Sequence, residues 1–312
     1  MSRGILGLLP RAAVVLTGTA LATFALLWNA PGDPALAIAL ARYDTVASDD
    51  VVDHVQVETD LDAGFLTAFT AWSGPLLIGD FGRSSVTGRA VWPELIDAIS
   101  YTVPLAFAGL AIGLATSVPL AAIATRAPGR WMDRIAVALA SFGAAIPAYW
   151  LGLLLILLFA LHLAWLPAMG ARTAVHILLP ALTPGLGVAA SLTWFIRSGI
   201  REARGQPFLP AFRRRGVSNR AIGRDHVAPH AAIPVVTVLG PEMAFLLEGA
   251  VMVEVIFARP GLGSFLVAAI TARDFPKVQA VVLLAALLFV VVNLLIDVVY
   301  RLTDPRIGER DA

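Results

Sequence analysis

Six apolar stretches constrain this chain more than any other feature, because each can cross a hydrocarbon core of about 30 Å as a helix of roughly 20 residues. They run from Ala12 to Ala30, Ala98 to Thr125, Ile135 to Leu161, Ile177 to Ile196, roughly Ala231 to Val253, and Val278 to Val299. In lipid every backbone N–H and C=O must find its partner inside the protein, so such runs fold as helices. The pattern predicts an all-α integral membrane protein with six transmembrane helices. Composition agrees: 58% of the 312 residues are hydrophobic and 14% charged, unlike ordinary soluble domains. The first stretch follows Arg3 and Arg11, as a signal peptide would. It is longer than a signal h-region, and "NAPGDPALA" is a weak cleavage site, so it reads as a retained span.

Charge position gives the orientation. Arg126, Arg130 and Arg134 fall in one short loop, and Arg201, Arg204, Arg213, Arg214, Arg215, Arg220 and Arg224 in another. Excess arginine marks the cytoplasmic face, so the chain reads as multi-pass with both termini in the cytoplasm. Residues 31–95 then form the largest extracytoplasmic segment, rich in Asp44, Asp49, Asp50, Asp53, Glu58, Asp60 and Asp62. They read as a solvated loop; a receptor for a basic partner surface is the alternative. "APGDP" at 30–34 stops the first helix, and Trp165 in "WLPAMG" reads as an interfacial anchor. The absence of cysteine excludes disulfides and thiolate chemistry. Of the five histidines only His226 and His230 have ligand spacing, and no third ligand accompanies them.

The basic loop, "PFLPAFRRRGVSNRAIGRDHVAPH" from Pro207, contains two helix-compatible pieces, Pro207 to Arg215 and Asn219 to Val227, ending near Pro229. Gly216 supplies the turn between them and Ser218 an N-cap. Phe212 and Val217 would offer apolar contacts to a soluble partner. From charge alone, a loop held by anionic lipid is the favoured reading.

In this loop Ala211, Phe212, Gly216, His226, Val227, Ala228 and Pro229 fall at the spacing of the "EAA" motif of membrane subunits of ATP-binding-cassette (ABC) importers. Ala211, Gly216 and Pro229 match, whereas Pro210 replaces the glutamate, Phe212 the second alanine, His226 the isoleucine and Ala228 the leucine. The likeness extends along nearly the whole chain, through "APGDPAL", "GDFGRSSVTGRAV", "IPAYWLGLLL", "WLPAMG", "HILLPAL", "VEVIFARPGLG", "ARDFP" and "NLLIDVVYRLTDPRIG", in order. The sequence thus resembles the first permease subunit of the peptide and nickel class of binding-protein-dependent ABC importers. The resemblance implies one permease domain over 1–312, with a periplasmic loop region at 31–95 and a cytoplasmic coupling loop at 201–230 between helices 4 and 5. It implies a homologous second permease, two cytoplasmic ATPases that bind ATP and Mg, an extracytoplasmic solute-binding protein and membrane lipid as partners. No nucleic acid and no cofactor of its own are expected. Docking would involve Phe208, Ala211, Phe212, Gly216, His226 and Pro229. The chain is not expected to be an enzyme, since it carries no P-loop.

Carboxylates inside a membrane are costly and raise functional hypotheses. Glu242 and Glu248 lie in the fifth span, six residues and so roughly 120° apart on a helix. Glu248 stands where the family more usually has glycine and is the first candidate for attracting a peptide amino group or metal complex, with Glu242 second. A local helix–helix hydrogen bond is the alternative for both. Glu254 reads as structural, pairing with Arg259 or Arg273. Asn293, a further candidate for the substrate pathway, shares a face with Asp297, which reads as an ion-pair partner of Arg301 or, alternatively, a transport residue. Two other functions compete with this reading. A proton-coupled secondary transporter using these glutamates would need inverted repeats that are not visible, and a membrane hydrolase would need a nucleophile–base pair or metal motif. Substrates stay open among peptides, nickel and metal chelates, with "WLPAMG" and "HILLPAL" somewhat closer to the nickel branch.

Overall fold

A computed structural model describes residues 8–29, 36, 39–40, 49–58, 64–126 and 128–303. The "APGDP" stop, Asp44, Asp60, Asp62 and the side chains of Asp49, Glu58, Asp297 and Arg301 lie outside the described residues. In chain order the helices are α1 (Leu8–Trp28), α2 (Asp49–Glu58), α3 (Phe65–Leu76), α4 (Val91–Arg126), α5 (Trp131–Ala145) and α6 (Ala148–Leu155). They continue with α7 (Leu178–Arg204), α8 (Leu209–Arg214), α9 (Asn219–Ile222), α10 (Ala228–Ile256), α11 (Leu262–Thr271) and α12 (Phe275–Thr303). Among the described residues five helices are long and apolar enough to cross a membrane, or six if one bent pair is a single span.

That pair corrects the expectation of an unbroken third span. α5 and α6 meet at 99°. Pro147 disfavours helical backbone at the residue before it, and Ile146 is extended (φ −81°, ψ 125°), so α5 ends at Ala145. α6 continues into a π-helical turn at Ile156–His162. Prolines at 104, 119, 184, 234 and 241 are carried inside other helices.

The chain packs as two units. In the unit made of 1–102 and 260–290, Phe24 and Trp28 of α1 meet Phe65, Phe69 and Trp72 of α3, with Phe24 centroids 5.4 Å from three of those rings. Val91, Leu95 and Ala98 of α4 pack with Leu262, Ala280, Val281 and Leu284. Buried Asp274 fastens the 79–90 turn: it accepts hydrogen bonds from the Ser84 hydroxyl and, at 3.1 Å, the Ser85 N–H. Lys277 bridges to Glu94 at 2.7 Å.

In the unit made of 103–259 and 291–312, α4 and α7 cross at small residues. A Cβ on Gly185 would lie 2.8 Å from the Gly109 carbonyl oxygen, and one on Gly113 2.7 Å from Val188 Cγ1. Small residues let helix backbones touch, which is how helices associate where lipid removes the hydrophobic drive. Val188, Leu192, Met243 and Leu246 are buried around this crossing. Glu254 and Arg259 are both buried, and Arg259 also donates to the His176 carbonyl at 3.2 Å, whereas Arg273 is exposed.

Candidate functional site

The basic loop is a built structure with its own small core. α7 runs past Ile196, where the apolar stretch ends, to Arg204, because its final turns are held by arginine contacts described below. α8 follows and closes with the Gly216 N–H donating to Arg213 O (3.0 Å) and the Val217 N–H to Phe212 O (3.1 Å). This is a Schellman stop, and it needs left-handed backbone at Gly216, found at φ +77°. Val217 then packs toward Phe212, as such motifs favour. The Ser218 hydroxyl caps α9 by accepting the Ala221 N–H at 3.2 Å.

Beyond α9 the expected second helix does not end near Pro229. A π turn at Gly223–Val227 joins α9 directly to α10, with the Ala228 N–H donating to Gly223 O. The wider turn shifts the ladder, so Pro229 falls in the first turn of α10, where a missing N–H costs little. The loop is therefore the continuous root of the fifth apolar helix.

Phe212 and Val217 were expected to face a partner, but both are half-buried against Leu209, Ile222 and Val227. Phe212 stacks on His226 with centroids 4.1 Å apart and planes 20° apart. Phe208 stands edge-on to Phe212 at 6.2 Å and lies 5.8 Å from His230. Phe212 and His226, fourteen residues apart in the chain, thus brace the loop as a stacked pair. The histidines are ring partners, and among the described residues no group of three metal-ligating side chains occurs. Pro210, Ala211, Gly216, Pro229 and the arginines at 213–215 are exposed.

The intramembrane candidates do not converge. Glu242 is 8% exposed and lines a cavity of about 310 Å³ with Gly143, Ile146, Thr183, Ser191 and Pro241. The Ser191 hydroxyl hydrogen-bonds its carboxyl. Pro147 bends α5 away from α6 and so opens this space. Glu248 is exposed on another face of α10, and half-buried Asn293 approaches Gly240, its Oδ1 3.1 Å from the position of an added Cβ.

A further cluster was not singled out in the sequence. Asp133, in the first turn of α5, is 3% exposed and accepts the Gly129 N–H at 2.8 Å. It also takes Arg197 Nε at 2.8 Å, Arg197 Nη2 at 3.1 Å and Arg201 Nη2 at 3.0 Å. Arg204 donates to the Thr125 carbonyl. The signal was present: Arg197, Arg201 and Arg204 recur at helical spacing, and Asp133 is the lone acid in an arginine-rich connection.

Residues 117–309 match the family described as "Binding-protein-dependent transport system inner membrane component". The chain is 34% identical over 303 residues to the glutathione transport system permease protein GsiC of Escherichia coli (strain K12), covering 97% of this chain and 96% of that one. It is 36% identical over 305 residues to the GsiC of Salmonella choleraesuis (strain SC-B67), with the same coverage. Among solved structures it resembles an inward-facing MetNI methionine ABC transporter (TM-score 0.58, 16% identity, 68% of this chain and 96% of that one). An amino acid ABC transporter gives a TM-score of 0.53 at 18% identity, over 67% and 94%. The fold is that of an ABC importer permease, and with relatives of this identity along nearly its full length the chain belongs to the family of binding-protein-dependent transport system inner membrane components.

Proposed function

We propose that this permease subunit forms half of a translocation pathway for small peptides delivered by a solute-binding protein. It would pair with a second permease and be driven by two ATPases that bind ATP and Mg. The observation that carries the coupling role is the basic loop: a Schellman stop, a serine cap and an aromatic–histidine core make it stiff, and it continues directly into α10. Coupling needs an element that moves as a packed unit rather than a tether. Phe208, Phe212 and His226 brace the loop from within, while Ala211, Gly216 and Pro229 belong to the surface an ATPase would grip. The loop faces the cytoplasm in this reading, with both termini, and 31–95 lies outside.

Glu242, in a cavity the size of a small ligand site, is suited to a substrate ammonium group. Glu248 is exposed, although it lies only about 26 Å along the helix from Ala231. That is near the outer edge of a core about 30 Å thick, where an exposed carboxylate reaches the interface or a path shared with the second permease, while Asn293, beside Gly240, is a separate candidate for the pathway wall. The peptide reading is favoured over nickel because the compared relatives are named for glutathione, a tripeptide. Family membership leaves the proton-coupled alternative without support. Deleting Phe208 to Arg224 is expected to leave membrane insertion intact and abolish co-purification of the ATPases; undiminished co-purification refutes the docking role. Thermal-shift screening of the associated binding protein against glutathione, other peptides and nickel complexes tests the substrate.

A further inference from the structure

The root of the basic loop is tied to a second helix by a charge cluster centred on buried Asp133. α7 ends at Arg204, three residues before Pro207, and three arginines in its last turns reach sideways. Arg197 and Arg201 hold Asp133 at the start of α5, and Arg204 holds the Thr125 carbonyl at the end of α4. With Gly129 as a further donor, the Asp133 carboxylate is bonded from both α7 and its own connection. Its other neighbours differ in kind. Along the rest of α5 the facing surface is apolar and small: a Cβ built on Gly143 would meet Ala190 Cβ and the Leu186 carbonyl at ordinary van der Waals distances of 3.5 and 3.7 Å. Apolar surfaces of this sort have no hydrophobic drive in lipid and can slide, whereas a bidentate guanidinium–carboxylate pair fixes register.

The far end of α5 lies about 15 Å from Asp133 along the helix. There Gly143 and Ile146 line the cavity that holds Glu242. A displacement of the α7 end therefore has a rigid route, through Asp133 and α5, to the bend beside the cavity. We propose that Asp133 is a positioning residue for coupled transport: by gripping Arg197 and Arg201 it makes α5 follow the root of the basic loop, so that loop movement reshapes the Glu242 cavity. This rests on the reading of that loop as the ATPase-docking element.

The test uses the complete importer in liposomes with its ATPases and loaded binding protein. Solute moved per ATP hydrolysed is compared for wild type, Asp133→Asn and the milder Arg201→Gln, counting only assembled complexes. Because the chain has no cysteine, spin labels at Leu139→Cys and Glu202→Cys report the α5–α7 distance directly. The expected result is a severalfold fall in solute per ATP with ATP hydrolysis retained, and a label distance that changes with nucleotide in the variants but not in wild type. Variants that assemble with unchanged solute per ATP and unchanged distances overturn the proposal. If Asp133→Asn does not assemble, Arg201→Gln decides alone by the same criteria. Failure of the underlying reading looks different: wild type itself then shows no ATP-driven uptake, or a loop-deleted chain still retains the ATPases.

Discussion

Replacing Gly185 with alanine tests the idea that backbone contact holds α4 against α7. The added Cβ would sit 2.8 Å from the Gly109 carbonyl oxygen and 3.2 Å from Ile112 Cβ and Cγ2. Carbon and carbonyl oxygen rest at about 3.3–3.6 Å, so the nearest contact is too close by roughly 0.5 Å. The atom struck is backbone in the middle of a helix and cannot rotate away, so the two helices must separate. Overpacking of this kind costs about 1–3 kcal/mol, offset by up to about 1 kcal/mol from the better helix propensity of alanine. A net loss of about 0–2 kcal/mol is expected, larger if the separation also loosens Val188 and Leu246 nearby. Gly249→Ala is the control, since a Cβ there meets nothing within 4 Å. It gains the propensity term alone. The assay is thermal unfolding of the two variants in the same detergent, read by loss of the monodisperse species. A Gly185→Ala midpoint equal to or above that of Gly249→Ala refutes the close-contact argument.

Ser218→Ala removes the cap of α9 and is expected to cost about 1 kcal/mol locally, seen as faster hydrogen exchange across 218–227. Asp274→Ala leaves the Ser84 hydroxyl and Ser85 N–H without their acceptor and Lys277 with Glu94 alone; at about 1–3 kcal/mol for a buried group stranded in this way, the 79–90 turn should become protease-sensitive while the helices stay intact. Glu242→Gln is expected to lower uptake more for substrates with a free ammonium group than for blocked ones, and Glu248→Gly to change uptake without changing assembly. Equal effects on both substrates, or unaltered uptake, would leave these glutamates only a packing role.

Length and polarity alone determined the class of this protein. Six apolar runs require helices because lipid offers the backbone no partners, and the arginine loops stand out by charge without any knowledge of contacts. Local chemistry was equally legible at Gly216 and Ser218, whose stop and cap depend only on nearby residues. Pro147 carried the bend in the third run, but its consequence was missed because an apolar stretch of that length also reads as one straight span. Pro229 misled in the other direction: a proline usually ends a helix, and only a π turn upstream lets this one begin α10.

The tertiary structure decided what distance along the chain hides. Glu242 and Glu248 look alike in sequence, yet one is buried in a cavity opened by a bend about a hundred residues away in the chain, and the other is exposed. Phe212 and His226, fourteen residues apart, become a stacked pair only through folding. Asp133 was one acid among arginines until folding brought the end of α7 against it. Periodicity reports which face of a helix is apolar; which other helix comes to meet that face depends on packing between segments far apart in the chain, and there the sequence pattern is silent.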